Sequence, residues 1–285
     1  MIEEWQLSDR AERQALYELI CRDNARNYFI RLGLEQEHPV FQRVFVERDG
    51  HGDPVAALML RKSGNLQFFA MGAFDADGFS EKIGELDFQY LISPGSYCDR
   101  FLGKELFLED HSGAYIAELT PSIWEDRKEK IPDPLETMGK DKEHQERIRL
   151  EELELKDLPE VVELYGTVFS SFSPEKVMRK KLETGRGRGK LIRLDGRLVA
   201  VAQSEFENRS SGIIVGVATD PEYQGKGLGT ACLLALVKEL MAEGKTLYLQ
   251  YDNPKAGMIY RRLGFYEVDR VRHYKKKVSE TDHEI

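Results

Sequence analysis

Three glycines at alternate positions, Gly225, Gly227 and Gly229, follow a short apolar segment and precede a stretch with helical spacing. The apolar segment, Ile213–Ala218, has apolar residues on both faces, which predicts a strand in the interior of a sheet. Glycines at a helix start let backbone N–H groups converge without side chains in the way, at a point of partial positive charge. The segment therefore suits a phosphate or pyrophosphate group, and the alternative is a loop that needs glycine only for its turns.

Helix and strand patterns alternate around this segment in the C-terminal half. Asp157–Glu160 has the pattern of a capping box that begins a helix, and Ser173-Pro174 has the pattern of a second helix start. Asp195-Gly196 between two apolar segments predicts a hairpin, and Asn253-Pro254 predicts the start of a last helix. The predicted order is two helices, three antiparallel strands, a helix, a strand, a helix and a strand. This order defines an α/β (α+β) fold, a mixed, mostly antiparallel sheet flanked by helices.

The N-terminal half repeats part of this order. A helix is predicted from Asp9, because Glu12 completes a capping pattern and the following apolar residues share one face. Strand patterns then follow at 41–47, 55–60, 66–71, 90–92, 106–108 and 115–119. We therefore expect two tandem domains, an N-terminal domain at 1–120 and a C-terminal domain at 148–285, joined by a proline-rich and charged connection at 121–147.

Composition excludes several classes of protein. The net charge of −9 disfavours a nucleic-acid partner, because phosphate binding needs a concentrated basic surface. No apolar run approaches the roughly 20 residues that span a bilayer, and the acidic start Met1–Trp5 lacks a signal-peptide core. We therefore expect a cytoplasmic protein with no membrane partner. The 3 cysteines and 6 histidines show no metal-ligand spacing, so no metal site is predicted.

Residues beyond the glycines complete a longer pattern. Gln224 gives Q-x-x-G-x-G with two of the glycines, and the chain continues with Asn253, Ala256 and Tyr260-Arg-Arg-Leu-Gly-Phe265. This combination resembles the GNAT superfamily of acetyl-CoA-dependent N-acetyltransferases over residues 148–277. The resemblance implies that the strand before the glycines separates from the strand after their helix. The pantetheine arm of acetyl-CoA, the cosubstrate, would enter between the two strands.

The resemblance also implies roles for individual residues. The end of the strand would bind the arm and the loop would hold the pyrophosphate; these sets are Val217, Ala218 and Thr219, and Gln224, Gly225, Lys226, Gly227, Leu228, Gly229 and Thr230. Lys226 would add a charge near the phosphates or be a solvated loop lysine. Asn253 would bond the arm, cap the last helix, or do both. Tyr260 would protonate the departing thiolate, and packing on the core is the alternative.

The amine acceptor must lose a proton before it attacks, since an alkyl amine has a pKa of about 10.4 and only the neutral form has a free lone pair. Glu205 and Glu207 are the candidate bases, because they lie two residues apart at a strand end and are expected to share a face. A solvated pair at a hairpin end is the alternative. The acceptor is expected to be a small-molecule or peptide amine. The resemblance implies that this amine attacks acetyl-CoA directly, with no covalent intermediate on the enzyme.

A second class of function stays open, an acyl-CoA-binding regulatory protein with a degenerate acetyltransferase fold. Tyr260 and the glycine loop argue against it in the C-terminal half. It is the preferred interpretation of the N-terminal half, where Gly72–Phe79 has acidic residues in the place of a pyrophosphate loop. We therefore predict a degenerate N-terminal domain without a coenzyme loop.

Overall fold

The computed structural model describes residues 1–35, 40–101, 107–110, 113–138 and 148–276. The chain divides into two compact units. Met1–Ile116 and Glu267–Ile285 form unit 1, and Ala117–Tyr266 form unit 2.

The elements of unit 1 begin with a strand and two helices, followed by three strands. In chain order they are β1 (Ile2–Trp5), α1 (Arg10–Cys21), α2 (Asn24–Leu34), β2 (Phe41–Arg48), β3 (Pro54–Arg61), β4 (Asn65–Ala70), α3 (Ala76–Gly84), β5 (Tyr90–Pro94), α4 (Gly95–Cys98) and β6 (Phe107–Asp110). Strands β1 to β4 pair antiparallel in sequence, and β4 pairs in parallel with β5. The predicted helix from Asp9 is confirmed: the Asp9 carboxylate accepts from the N–H groups of Ala11 and Glu12.

The core of unit 1 lies between its helices and this sheet. Helix α1 buries Leu16, Leu19 and Ile20, which join one apolar cluster with strands β2 to β5 and with Phe79 of α3. The predicted strands at 41–47, 55–60, 66–71 and 90–92 are observed within one or two residues of their predicted ends. The start of the segment predicted at 106–108 lies outside the described residues.

Unit 2 repeats the same order after a helical connection. Its elements are β7 (Tyr115–Leu119) at the boundary, α5 (Pro121–Arg127), α6 (Pro134–Met138), β8 (Ile148–Glu152), α7 (Leu158–Val168), α8 (Glu175–Glu183), β9 (Gly189–Leu194), β10 (Arg197–Glu205), β11 (Ser211–Thr219), α9 (Leu228–Ala242), β12 (Thr246–Tyr251) and α10 (Pro254–Leu263). Strands β8 to β11 pair antiparallel in sequence, and β11 pairs in parallel with β12. The fold class is confirmed, and β8 is a strand that the sequence patterns missed.

The last strand, β13 (Tyr266–Lys276), pairs antiparallel with β5 and with β6. Because of this pairing, residues from Glu267 onward belong to unit 1. The observed division therefore differs from the predicted range 148–285, and the connection at 121–147 contains α5 and α6 within unit 2. Residues 139–147 of that connection lie outside the described part of the chain.

Helix starts and turns in unit 2 agree only partly with their sequence patterns. The hairpin at Asp195-Gly196 is confirmed, with φ of 52° and 85°. The predicted capping box at Asp157–Glu160 is wrong, because the Asp157 carboxylate accepts from the Glu154 N–H at 2.9 Å and closes a box one turn earlier. Helix α8 begins after Pro174 without a side-chain cap, so the capping role of Ser173 is also wrong.

Candidate active site

Strands β11 and β12 begin side by side and then separate. They pair at three positions, Ser211 with Thr246, Gly212 with Leu247 and Ile213 with Tyr248. Beyond these pairs β11 continues to Thr219 beside β10, without pairing to β12. We call this opening, bounded by Ile214–Thr219 and Leu249–Tyr251, the unit 2 wedge. Unpaired strand edges present N–H and C=O groups, so the wedge can accept an extended polar ligand.

The predicted arm-binding residues Val217, Ala218 and Thr219 form the end of β11 and border this wedge. Ala218 is buried and pairs with Val201, whereas Val217 and Thr219 are half-buried. The Thr219 carbonyl accepts from Gln224 Nε2 at 3.2 Å, so Gln224 ties the glycine loop back to the strand end. The structure therefore brings these strand and loop residues together.

The glycine loop needs glycine for two separate reasons. Gly225 and Gly227 have φ of 78° and 77°, the left-handed region that L side chains rarely adopt. A Cβ at Gly229 would lie 2.5 Å from Thr219 Oγ1, so helix α9 begins closer to β11 than any other residue would allow. The loop is consequently compact, and its residues Gln224, Gly225 and Lys226 are exposed.

Helix α9 begins with backbone amides that the helix itself does not satisfy. Its N-cap Gly227 provides no side-chain hydrogen bond, and its first turn contains no acidic residue. The first intrahelical bond runs from the Ala231 N–H to the Gly227 carbonyl at 2.9 Å. The N–H groups of Leu228, Gly229 and Thr230 therefore have no acceptor within the helix. An anionic group fits this position, and the Lys226 ammonium, 4.9 Å above the Tyr223 ring, lies in the same loop.

Helix α10 packs against the β12 side of the wedge. Asn253 caps it, accepting from the Lys255 N–H at 2.9 Å through Oδ1. A Cβ at Gly257 would lie 2.4 Å from the Tyr251 ring, so a glycine is required for the helix to approach the end of β12. The cap alternative for Asn253 is thus observed, and its bond to a coenzyme arm stays a prediction.

Tyr260 lies on the face of α10 that packs against β12. Its ring centroid is 5.3 Å from that of Tyr251 and 6.0 Å from that of Phe265, and the residue is 8% exposed. Burial raises the pKa of Tyr260 to about 12, so the phenol is protonated at neutral pH. Within the described part of the chain its hydroxyl has no hydrogen-bond partner. Tyr260 is thus both packed on the core and available as a proton donor beside the wedge.

Glu205 is the last residue of β10, and its register places it near the origin of the wedge. It pairs with Ile213, which in turn is opposite Tyr248 in the last β11–β12 pair. Burial raises the pKa of Glu205, and Lys181 of α8 partly offsets the effect. Burial also lowers the pKa of Lys181 to about 8. Half-buried acids and buried lysines with shifted pKa values are characteristic of functional sites.

Glu207 has a different environment from Glu205. Strand β10 ends at Glu205, and Phe206 takes a φ of 51°, so the expected shared face does not exist. Glu207 is 6% exposed and pairs with Lys245 and Arg188, both at 2.7 Å. Burial alone would raise the pKa of Glu207, but hydrogen bonds from Lys245, Ser204 and Arg188 outweigh it and lower the pKa. The carboxylate is thus fully engaged in a structural network.

Three further observations concern membrane-spanning helices, metal-ion sites and a cavity elsewhere in unit 2. In the described residues no helix is long and apolar enough to cross a membrane. Across the same residues, no group of three or more His, Cys, Asp and Glu side chains is arranged to hold a metal ion. A cavity of about 700 Å³ beside Trp124 and Lys238 is lined by charges of both signs and includes no residue of the wedge or glycine loop.

Comparison with known proteins gives a family match over part of the chain. Residues 181–274 match the GNAT acetyltransferase family. This match runs from the end of α8 into β13 and includes the wedge, the glycine loop and Tyr260. Over this segment, about a third of the chain, the sequence is similar to the GNAT acetyltransferases.

Curated relatives are similar over short segments. Mycothiol acetyltransferase from Actinosynnema mirum is 38% identical over 82 residues, which cover 27% of this chain and 28% of that protein. Serotonin N-acetyltransferase 2, chloroplastic, from Oryza sativa subsp. japonica is 34% identical over 70 residues, which cover 25% of this chain and 35% of that protein. The chain thus spans only about a third or less of the length of these relatives.

Solved structures share the fold over nearly the whole chain. A tandem GNAT protein from the clavulanic acid biosynthesis pathway has a TM-score of 0.63 at 16% identity and covers 98% of this chain and 100% of its own. A GCN5-related N-acetyltransferase from Sphaerobacter thermophilus has a TM-score of 0.63 at 15% identity, and the match covers 97% of this chain and 95% of that protein. These likenesses support two tandem units of one fold.

Sequence patterns missed four residues that the structure places at the site. Gly216 lies inside β11 with a φ of 59°, and Tyr165 of α7 bonds its carbonyl. Gly257 allows the approach of α10, and Lys181 faces Glu205. A glycine within a strand pattern could have indicated the bulge at Gly216. Nothing in the local sequence of Tyr165 or Lys181 distinguishes them from other helix residues.

Proposed function

We propose that the chain is an N-acetyltransferase that moves an acetyl group from acetyl-CoA to a primary amine by direct attack. The observation that carries this proposal is the separation of β11 from β12 immediately before a helix start with free amides. The wedge suits the amide-containing arm of the coenzyme, and the helix start suits its pyrophosphate. The residues present therefore fit acetyl-CoA.

Two side chains accept and donate the protons of the proposed reaction. The amine nitrogen forms a bond to the carbonyl carbon of the thioester, and the carbon–sulfur bond breaks. Glu205, directly or through water, receives the proton that the ammonium form of the acceptor must lose. Tyr260 donates a proton to the sulfur as the thiolate departs. The second proton, which the nitrogen loses when it becomes an amide, returns to the Tyr260 phenolate directly or through water. Glu205 is preferred over Glu207 because Glu207 is already bonded to Lys245 and Arg188.

Thiol release by the full chain, measured with acetyl-CoA and a panel of amines, tests this function. The panel contains amino acids, polyamines, aminoglycosides, serotonin and a peptide with a free N-terminus. We expect thiol release with at least one amine and an equal amount of N-acetylated product by mass spectrometry. Tight acetyl-CoA binding without transfer to any amine would favour the regulatory alternative.

A matched pair of glycine variants ties the activity to the loop. Gly229→Val adds a side chain whose Cβ would lie 2.5 Å from Thr219 Oγ1, so acetyl-CoA binding and turnover are expected to be lost. Gly166→Ala in α7 adds a methyl where nothing lies within 4 Å, and is expected to keep both. Equal activity of the two variants would contradict the use of this loop.

A further inference from the structure

The hydroxyl of Tyr165 connects helix α7 to the strand that borders the wedge. It donates to the Gly216 carbonyl of β11 at 2.8 Å and accepts from Gln203 Nε2 of β10 at 2.6 Å. Tyr165 is 3% exposed, and its ring packs edge-on against Phe169 and Phe172 of the segment that follows. Burial raises the pKa of Tyr165, so its hydroxyl is protonated and can donate to the carbonyl.

Gly216 and Tyr165 fit each other closely. The β10–β11 register shifts between Val201 and Gln203, which is the mark of a bulge, and Gly216 has a φ of 59°. A Cβ at Gly216 would lie 2.0 Å from the Tyr165 hydroxyl oxygen. The hydroxyl thus occupies the space that any other residue at 216 would need. A bulge bends its strand and redirects the groups beyond it.

The bulge lies three residues past the last β11–β12 pair, just before Val217, Ala218 and Thr219. We propose that Tyr165 is a positioning residue, whose hydroxyl holds the Gly216 bulge so that the backbone of Val217–Thr219 faces the wedge and binds the pantetheine arm of acetyl-CoA. This role rests on the proposed function. It assigns to α7 a part in coenzyme binding through β11, with no contact between Tyr165 and the coenzyme required.

Two probes separate this role from general stabilisation. Acetyl-CoA contains the arm, whereas 3′-phosphoadenosine 5′-diphosphate contains only the nucleotide end that the glycine loop would hold. Tyr165→Phe keeps the ring and removes the hydroxyl, which leaves the Gly216 carbonyl without this donor. We expect the Kd of the full chain for acetyl-CoA to rise about tenfold, as for a buried group that loses its hydrogen bond. The Kd for the nucleotide probe should change less than about twofold.

Tyr274→Phe is the matched control. Tyr274 is another fully buried tyrosine, and its hydroxyl donates to Asp99 at 2.6 Å within unit 1. This variant is expected to bind both probes as the wild type does. A second variant, Gln203→Met, removes the donor to Tyr165 from the other side. It should weaken acetyl-CoA binding in the same selective way, to a smaller extent.

The outcomes distinguish two kinds of failure. If Tyr165→Phe weakens both probes equally, or neither, the positioning role is wrong. If Tyr165→Phe does not fold, Gln203→Met decides the question by the same ratio of the two affinities. If the wild-type chain does not bind acetyl-CoA at all, the proposed function itself fails, and the positioning role fails with it.

Discussion

Unit 1 contains a wedge of its own, and the contents of the two wedges differ. Strands β4 and β5 pair in parallel only at Asn65 with Tyr90 and Leu66 with Leu91, and then separate. Two positions further on, Ser93 Oγ accepts from the Phe68 N–H at 2.9 Å and donates to the Phe68 carbonyl. Ser93 is 2% exposed. One side chain therefore satisfies both backbone groups of Phe68 and links the two strands where they separate.

The equivalent register position in unit 2 is Gln250, two residues past the last β11–β12 pair. Gln250 is half-buried and, among the residues the structure describes, makes no hydrogen bond to β11. The two strands before the wedges differ as well: β4 pairs with β3 in regular register, whereas β11 has the Gly216 bulge. The edge of β11 thus has no bond equivalent to the one that Ser93 makes with Phe68 of β4 in the described residues.

The helices that follow the two wedge strands, α3 in unit 1 and α9 in unit 2, also begin differently. In unit 1 the Asp75 carboxylate caps α3 by accepting from the Gly78 N–H at 2.9 Å, and Asp77 adds a second negative charge in the first turn. In unit 2 the cap is Gly227, with no acidic residue in the first turn of α9. A phosphate is repelled from the first helix start and attracted to the second. The same fold therefore has a helix start capped by a carboxylate in unit 1 and one without a side-chain cap in unit 2.

Aromatic side chains pack around Phe68, next to the wedge of unit 1. Phe68 packs against Phe74, Phe79 and Phe101, with ring centroids 4.8 to 5.0 Å apart. Such pairs stabilise a core beyond the area that they bury. These differences between the units are in keeping with the prediction that unit 1 has no coenzyme site, and the following variants test it.

The largest expected effect is on turnover, from Tyr260→Phe. A correctly placed acid contributes about 10²–10⁴-fold, because it acts only as charge develops on the sulfur. Steady-state kinetics with a good acceptor should show a fall of that order in kcat. The Kd for acetyl-CoA should change little, since the phenol is protonated before the reaction.

The control comes from the other unit. Tyr97 of α4 follows β5 as Tyr260 of α10 follows β12, and its hydroxyl donates to Asp23 at 2.9 Å. Tyr97→Phe should leave kcat unchanged and lower the Tm. An unchanged kcat in Tyr260→Phe would mean that the phenol is structural and that the thiolate leaves to solvent.

Replacing Glu205 by Gln and replacing Glu207 by Gln should change the stability of the protein in opposite directions. Because burial raises the pKa of Glu205, the folded state binds its proton more tightly than the unfolded state does. Stability then declines as pH rises from the ordinary glutamate range through the raised value. Glu205→Gln is therefore expected to raise the Tm at pH 7 and to lower kcat, by about 10²-fold for the loss of a base.

Glu207→Gln is the paired variant. The lowered pKa of Glu207 contributes stability above the ordinary glutamate range that is lost as pH falls through the lowered value. At pH 7 the variant should lose about 2–3 kcal/mol of unfolding free energy, because hydrogen bonds from charged groups are broken. Urea unfolding measures this loss. A destabilised Glu205→Gln together with a neutral Glu207→Gln would reverse our assignment of the two carboxylates.

The sequence predicted the parts of this comparison that depend on local pattern. Gly225, Gly227 and Gly229 have positions that only a coenzyme loop or a tight turn requires. The acidic residues within Gly72–Phe79 indicated a segment unsuited to phosphate, without indicating that a helix begins there. The element order followed from apolar periodicity. Local pattern could not place Ser93 against Phe68 or Tyr165 against Gly216, because these contacts join residues 25 and 51 positions apart. It also failed for Glu207, since the turn at Phe206 breaks the alternation of β10.

The smallest expected effect comes from Ser93→Ala, and it tests whether Ser93 alone keeps unit 1 free of coenzyme. Losing the hydroxyl leaves the Phe68 N–H and carbonyl without their partner, so we expect a loss of about 1–2 kcal/mol in unfolding free energy. Isothermal titration should still give one acetyl-CoA per chain, as for the wild type. The hydroxyl is only one of three barriers, since Asp75 caps the helix start and the Phe68 cluster fills the space. A stoichiometry near two in the variant would mean that unit 1 retains a coenzyme site closed by a single side chain. A stoichiometry near two in the wild type would contradict the comparison itself.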